Sequence, residues 1–206
     1  MDDLITKVNN LKVGFQKLES NSYGPLVSDD HLNNVQNYIK LAKDEGGEII
    51  LDGREINDRR NSDKKGYFLG PTVIDSVKPN MKSYLNEIFG PVLQIIEIDN
   101  IEEGIQIINQ NSFGNGCCIF TENGNYAREF SEKVEIGMVG INIPLPVPSS
   151  YHSFGGWKDS LFGDLNIYGP DGLRFYTRRK TVTQRWFGSS DISEINLSMP
   201  SNQKIN

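Results

Sequence analysis

The sequence is poor in the residue types that cross-link small proteins or bind metals. It contains two cysteines and two histidines in 206 residues. Cys117 and Cys118 are adjacent, which is the spacing of neither a disulfide framework nor a zinc site. His31 lies in a predicted helix and His152 in a loop, each without a second ligand at metal spacing, so we interpret both as surface residues. We therefore expect a reducing compartment and no metal site.

Long runs of one residue class are also absent. The longest apolar stretches, residues 92–96 and 137–143, are far shorter than the ~20 residues of a membrane-spanning helix. The acidic start at residues 1–3 is unlike a basic secretory or transit peptide, so we expect a cytoplasmic protein. Basic residues form no block longer than residues 178–180, and the net charge is −6. These features argue against nucleic-acid and membrane partners.

What is present is a globular composition, with 37% hydrophobic and 23% charged residues, in a pattern of alternating helices and strands. Helices are predicted at residues 4–11, 29–45, 101–110 and 123–134, the second capped by Ser28 and the third by Asn100. Strands are predicted at residues 48–51, 67–74, 92–98, 117–121 and 137–143. This order predicts an α/β fold with a helix-flanked, mainly parallel sheet and right-handed crossovers.

The pattern changes after residue 143. Residues 144–170 form a long loop rich in glycine, proline and aromatic residues, which is typical of a functional segment. A helical turn is predicted at residues 171–176, and the alternation that follows predicts a terminal strand from Thr177 to Trp186. The last residues are polar and are predicted to be disordered. The predicted division is a domain at 1–176, a strand at 177–187 and a tail at 188–206.

The first candidate site is the turn at residues 84–93. Glu87 stands two places before the aromatic Phe89, and Gly90 and Pro91 then lead into an apolar strand. Gly90 allows a close backbone approach, and Pro91 fixes φ where the strand begins. Two interpretations are open: a structural bend whose carboxylate lies in water, or a ligand-binding carboxylate held at the mouth of a strand.

Several segments together resemble the aldehyde dehydrogenase superfamily. They are residues 87–92 (EIFGPV), 139–142 (VGIN) and 153–160 (SFGGWKDS). A further set is similar, more narrowly, to the CoA-acylating methylmalonate-semialdehyde dehydrogenases: residues 141–148, 162–169, 175–177 and 180–186. The resemblance runs from about Leu4 to Trp186 and corresponds to the C-terminal part of such an enzyme, including its C-terminal oligomerisation strand.

This resemblance implies an activity and a set of site residues. The intact family oxidises malonate or methylmalonate semialdehyde to an acyl-CoA with NAD and CoA, in valine and pyrimidine breakdown. Glu87 matches the family glutamate that holds the nicotinamide ribose hydroxyls, and Phe89 matches the aromatic residue beside it. Phe154 and Gly155 match the segment that lines the acyl-substrate tunnel. The resemblance therefore implies an NAD half-site and one wall of a tunnel.

Other parts of the family's machinery have no counterpart in the sequence. The Gly-Gln-x-Cys motif of the catalytic cysteine is absent, and residues 114–116 (GNG) lie between a predicted helix and a strand, unlike a dinucleotide fingerprint. Asn86 stands where family members commonly have an acidic residue. We therefore expect a truncated pseudoenzyme without activity of its own, to which neither NAD nor CoA binds tightly.

Two alternatives remain open. The chain could be an interaction module that docks on a full-length homologue, or self-associates, through residues 177–186. It could also be an enzyme with a new nucleophile, for which Cys117 and Cys118 are the only thiols. Because both cysteines lie in a predicted buried strand without a neighbouring base, we favour a structural role for them.

Overall fold

The computed structural model of the chain describes residues 1–15, 21–54, 66–184 and 186. Its elements in chain order are α1 (Asp2–Asn9), α2 (Asp29–Asp44), β1 (Glu48–Leu51), β2 (Thr72–Asp75), α3 (Lys82–Leu85), β3 (Val92–Gln94), α4 (Ile101–Gln110), β4 (Phe113–Gly114), β5 (Gly116–Ile119), α5 (Gly124–Lys133), β6 (Met138–Ile141), β7 (Trp157–Lys158) and α6 (Gly169–Tyr176). The predicted α/β class is confirmed. The predicted tail at 188–206 lies outside the described residues.

Helix α2 builds the first hydrophobic core. The Ser28 hydroxyl accepts a hydrogen bond from the His31 backbone N–H at 3.1 Å, which confirms the predicted N-cap. The apolar stripe of the helix is buried: Leu32, Val35, Ile39 and Ala42. Burial of each large aliphatic side chain stabilises the fold by about 1.5–3 kcal/mol. The helix is therefore a fixed platform for the segments that pack on it.

The first sheet contains β1, β2 and β3. β1 is antiparallel to β2, and β2 is parallel to β3 with Thr72 opposite Val92. The predicted strand at residues 92–98 is shorter than expected, since strand pairing covers Val92–Gln94 and the side chains there are half-buried or exposed. The mainly parallel arrangement therefore holds for β2 and β3 and not for β1.

A second core forms around α4 and α5. Its buried residues are Ile105, Phe130, Val134 and Ile136. β5 and β6 are parallel and joined through α5, as predicted. The strand pairing forms separate sheets, with β3 next to β2 in one and β5 next to β6 in another. The physical reason is that α4 packs on α5 and the β5–β6 pair, so it carries the chain away from the first core.

A short antiparallel pair, β4 and β7, anchors the glycine-rich loop to α4. The Lys158 ammonium group donates hydrogen bonds to the carbonyls of Ile108, Asn109 and Asn111, at 3.2, 2.9 and 3.0 Å. These carbonyls lie at the C-terminus of α4, where backbone acceptors lack partners within the helix and a cation is favoured. Lys158 thus fixes the segment that follows residues 153–156.

The C-terminal part begins with α6, which is longer than the predicted turn at 171–176 and has Pro170 in its first turn. Residues 177–184 are exposed and pair with no strand in the part of the chain that the structure describes. The predicted oligomerisation strand at residues 177–186 would pair with another chain. A single chain does not test this, so the strand stays a prediction. Within the described ranges, none of the helices has the length and apolar character that crossing a bilayer requires.

A single carboxylate ties the end of α2 to the start of α3. Glu45 accepts hydrogen bonds from the backbone N–H groups of Lys82 (2.8 Å) and Ser83 (3.1 Å) and from the Ser83 hydroxyl (2.9 Å). Desolvation raises the pKa of Glu45, but these hydrogen bonds and the Lys82 charge lower it by more, so the pKa lies below its ordinary value of 4.5. The carboxylate is therefore more stable in the folded chain than in the unfolded one.

We expect this contact to make stability depend on pH. Because the folded pKa is the lower one, the stabilisation is present above the unfolded value of 4.5 and is lost as pH falls through the folded pKa. Glu45→Gln should lower the melting temperature at neutral pH and reduce its fall between neutral pH and about pH 3. Glu48→Gln, at an exposed position on β1, is the control. Parallel pH profiles for Glu45→Gln and the unmodified chain would contradict the assignment.

Candidate functional site

The loop that joins α3 to β3, residues 86–91, carries the first predicted site and is called the motif loop below. Ile88 is half-buried against the α2 core, whereas Glu87 and Phe89 on either side of it are exposed. Phe89 is 77% exposed, and its backbone lies in the left-handed region at φ 53°. The half-buried middle residue therefore acts as an anchor that leaves its two neighbours at the surface.

Two residues of α2, one turn apart, hold the motif loop. The His31 imidazole Nε2 donates a hydrogen bond to the Phe89 carbonyl at 2.9 Å. Val35 packs so closely on Gly90 that a Cβ at position 90 would lie 2.8 Å from Val35 Cγ1. This contact explains why the position requires glycine. The His31 contact could not be predicted from local sequence, because its partner lies 58 residues away.

Both ends of the motif loop are hydrogen-bonded as well. At the start, the Asn86 N–H donates to the Lys82 carbonyl at 3.1 Å, and the Gln94 side-chain amide joins the flanking β3 to the Ser83 carbonyl of α3 at 3.1 Å. At the end, the Thr72 N–H donates to the Pro91 carbonyl at 2.9 Å. The Glu87 carboxylate itself makes no hydrogen bond or ion pair with any residue that the structure describes. The loop therefore presents an unpaired carboxylate from a backbone fixed at both ends.

This arrangement fits a sugar better than a phosphate. An ionised carboxylate accepts hydrogen bonds from hydroxyl groups, and an exposed aromatic ring beside it offers an apolar face. Phosphate binding favours helix N-termini free of negative charge. Four of the described helices begin with carboxylates instead, α5 being one that does not: α1 with Asp2 and Asp3, α2 with Asp29 and Asp30, α4 with Glu102 and Glu103, and α6 with Asp171. The motif loop therefore offers an acceptor for hydroxyl groups, and the acidic helix starts are not typical of phosphate sites.

The second predicted site, Phe154 and Gly155, lies in the loop before β7. The Phe154 ring stacks on Tyr168, with ring centroids 4.6 Å apart. A Cβ at Gly155 would lie 2.3 Å from Asn166 Oδ1, so the backbone here is in close contact with residues 166–168. Both residues are half-buried. They are carried by the β4–β7 pair and the motif loop by the β1–β3 sheet, so the two predicted sites belong to different sheets.

A cavity of about 330 Å³ lies beside this loop, between residues 160–167 and α6. Apolar side chains make up most of its lining: Leu161, Phe162, Leu165, Ile167, Phe175 and Tyr176. Phe154 and Gly155 are not among its lining residues, and Gly155 lies next to Asn166, which is one of them. The roles of Phe154 and Gly155 as a tunnel wall stay a prediction.

The two cysteines lie on β5, opposite Val139 and Gly140 of β6, and both are half-buried. Burial, and to a smaller extent the neighbouring Cys118, raises the pKa of Cys117 to about 11. Its thiol is therefore protonated near neutral pH, and a protonated thiol is a poor nucleophile. Among the described residues no cluster of metal-ligating side chains occurs, and the His152 ring lies against Tyr151 in a tilted arrangement with centroids 4.4 Å apart.

We expect Gly90→Ala to destabilise the chain by about 1–3 kcal/mol, because the added methyl group would overlap Val35. The cost should be smaller in a Val35→Ala background, which removes both overlapping methyl groups. Urea unfolding of the four chains measures both costs. Gly124→Ala is the matched control, since the nearest atom to its Cβ would lie 3.9 Å away. An equal cost in both backgrounds would show that Val35 is not the cause.

Comparison with known proteins agrees with this architecture. The model of the aldehyde dehydrogenase family matches residues 1–182. Malonate-semialdehyde dehydrogenase of Pseudomonas aeruginosa is 49% identical over 185 residues, which are 89% of this chain and 36% of that protein. This chain therefore spans little more than a third of the length of that curated relative.

Solved structures give the same result. Methylmalonate-semialdehyde dehydrogenase (DddC) from Oceanimonas doudoroffii superposes with a TM-score of 0.85 at 49% identity, covering 91% of this chain and 39% of that one. A protein described as a methylmalonate-semialdehyde dehydrogenase from Sinorhizobium meliloti 1021, solved with NAD, superposes with a TM-score of 0.86 at 40% identity. That match covers 92% of this chain and 38% of the other.

Proposed function

Because the chain belongs to the aldehyde dehydrogenase family, we propose that its residues form part of the catalytic domain of a malonate- or methylmalonate-semialdehyde dehydrogenase. The part is the C-terminal one, as the sequence motifs imply. The intact enzyme would oxidise the semialdehyde to an acyl-CoA with NAD and CoA. The observation that carries the proposal is the motif loop, which presents Glu87 beside Phe89 from a backbone fixed at both ends.

In this proposal Glu87 binds the ribose hydroxyls next to the nicotinamide, and Phe89 lies against the same end of the cofactor. The Sinorhizobium neighbour solved with NAD supports the choice of cofactor. NAD supplies the hydride acceptor when bound. What this chain contributes is a charged acceptor for hydroxyl groups, whose net worth is about 1.5–3 kcal/mol for a hydrogen bond to a charged group.

That contribution is too small to bind a dinucleotide alone. Micromolar affinity needs about 8 kcal/mol, several times what one carboxylate supplies. The acidic starts of α2, α4 and α6 disfavour pyrophosphate, and the raised pKa of Cys117 disfavours a thiolate nucleophile. We therefore propose that a polypeptide of these 206 residues, by itself, supplies a ribose half-site and one wall of a substrate tunnel at Phe154 and Gly155.

A second candidate function is association with another chain of the family, either a full-length homologue or a second copy. It is favoured by the exposed apolar surface of the C-terminal part. On α6, Leu173, Phe175 and Tyr176 are 71%, 63% and 82% exposed, and Trp186 is 88% exposed. Residues 177–184 lie beside this surface without a strand partner in the described part of the chain. Unpaired extended backbone next to apolar side chains is a common site of strand addition.

We expect the isolated 206-residue chain to form no NADH from malonate semialdehyde, NAD and CoA, because it holds no activated nucleophile among its described residues. NAD titrated by NMR should bind with a Kd weaker than about 1 mM, and Glu87→Ala should remove the chemical-shift changes. Glu97→Ala, at an exposed position just after β3, is the control. Turnover that disappears in Cys117→Ser would overturn this proposal in favour of a new nucleophile.

We also expect the chain to self-associate or to bind a full-length homologue. Val182→Pro should weaken this association, since proline removes a backbone N–H donor from the exposed segment. Val182→Thr keeps the donor and β-branching and is the matched control. Size-exclusion chromatography with light scattering reports the mass of each variant. A monodisperse 23.2 kDa species that ignores the homologue in every case would contradict the association role.

A further inference from the structure

We propose that His31 is a positioning residue, whose imidazole N–H holds the motif loop in the conformation that presents Glu87 to a ribose. The inference rests on the proposed function for the identity of the ligand. It rests on the geometry for the role of His31. The contact joins α2 to the loop by a single hydrogen bond of 2.9 Å between the His31 Nε2 and the Phe89 carbonyl.

The first step concerns the proton. A carbonyl oxygen accepts and never donates, so the Nε2 atom must carry a hydrogen. His31 is therefore the Nε2–H tautomer or the imidazolium ion. Most exposed histidines exchange between tautomers, whereas a histidine that is fixed on one acceptor keeps a single one. The contact therefore predicts a hydrogen on the His31 Nε2 atom, which NMR can detect directly.

The second step concerns the backbone at Phe89. Its φ of 53° lies in the left-handed region, which is unusual for a bulky aromatic residue and persists only where surrounding contacts impose it. The hydrogen bond to its carbonyl is the contact that α2 makes with this residue's backbone. Beside this residue, Ile88 packs against the α2 core, while Glu87 and Phe89 are exposed.

The third step concerns rigidity. His31 follows the N-cap Ser28, and Val35, one turn further on, is fully buried and contacts Gly90. Residues four apart lie on the same face of a helix, so one face of α2 contacts two successive residues of the motif loop. Val35 limits how far the loop can approach, and His31 directs the carbonyl. Steric contact alone would leave the direction of the carbonyl free.

The test compares His31→Gln with His31→Leu in the 206-residue chain. Glutamine carries an N–H donor at a similar reach, and leucine fills similar space without a donor. His152→Leu, which removes the other histidine, is the control. In the unmodified chain, ¹⁵N NMR of the imidazole should show His31 as the Nε2–H tautomer. The leucine variant should shift the amide signals of Glu87, Phe89 and Gly90, and the glutamine variant should restore them.

Binding provides the second readout, with NAD itself as the probe. We expect His31→Leu to weaken the NAD response of the motif loop roughly three- to tenfold, the change that one hydrogen bond supports. His31→Gln should stay within about twofold, because it keeps the donor. Circular dichroism establishes that each variant is folded, and the tautomer measurement needs no variant at all.

The outcomes separate the two ideas. An Nδ1–H tautomer at His31, or motif-loop signals that are unchanged in His31→Leu, would overturn the positioning role. If the loop signals respond as expected but NAD binds no variant, and Glu87→Ala changes nothing, then the proposed function fails while the positioning role stands. Equal loss in the glutamine and leucine variants would assign His31 to packing alone and would also overturn the inference.

Discussion

Burial of one face of α2 is the constraint on which the first half of the molecule depends. Val35 and Ile39 are fully buried in that face, each stabilising the fold by about 1.5–3 kcal/mol. The helix cannot rotate without exposing them, so the other side chains of the helix are held in fixed positions. At one end His31 meets the motif loop, and just beyond the other end Glu45 meets α3. One helix therefore sets both sides of the segment that leads into β3.

The local parts of this fold could be predicted from the sequence, because their causes are local. The N-cap at Ser28 and the Asn100–Glu103 cap are short-range hydrogen bonds between a side chain and nearby backbone N–H groups. The bounds of α4 follow from the cap and from apolar residues at helical spacing. The candidate carboxylate, Glu87, was visible as well, since Gly90 and Pro91 mark a turn at the mouth of a strand. Its place on an exposed loop needed only local chemistry.

The strand pairing and the distant side-chain contacts could not be predicted, and both failures have the same physical reason. A near-continuous apolar run predicts a strand at β3 but does not say whether its partner is β2 or β5, and in the structure the partner is β2. The same applies to side chains that act at a distance. Lys158 caps α4 from about fifty residues away, and His31 reaches Phe89 from 58. A histidine or lysine with no local partner carries no signal of such a contact.

Two surface features have no partner among the described residues: the apolar side chains of α6 and the carboxylate of Glu87. An amphipathic helix this short gains its stability from burial of its apolar face, yet α6 has no buried residue and exposes Phe175 and Tyr176. Glu87 is likewise a fixed carboxylate without a partner in the described part of the chain. In the function proposed above, α6 would be covered by another apolar surface, and Glu87 would exchange water for the hydroxyl groups of a ligand. Domain contacts and ligand sites are commonly shared between segments of a chain, and this chain spans 36% of a relative's length, so the proposal assigns the completion of both surfaces to other segments of polypeptide.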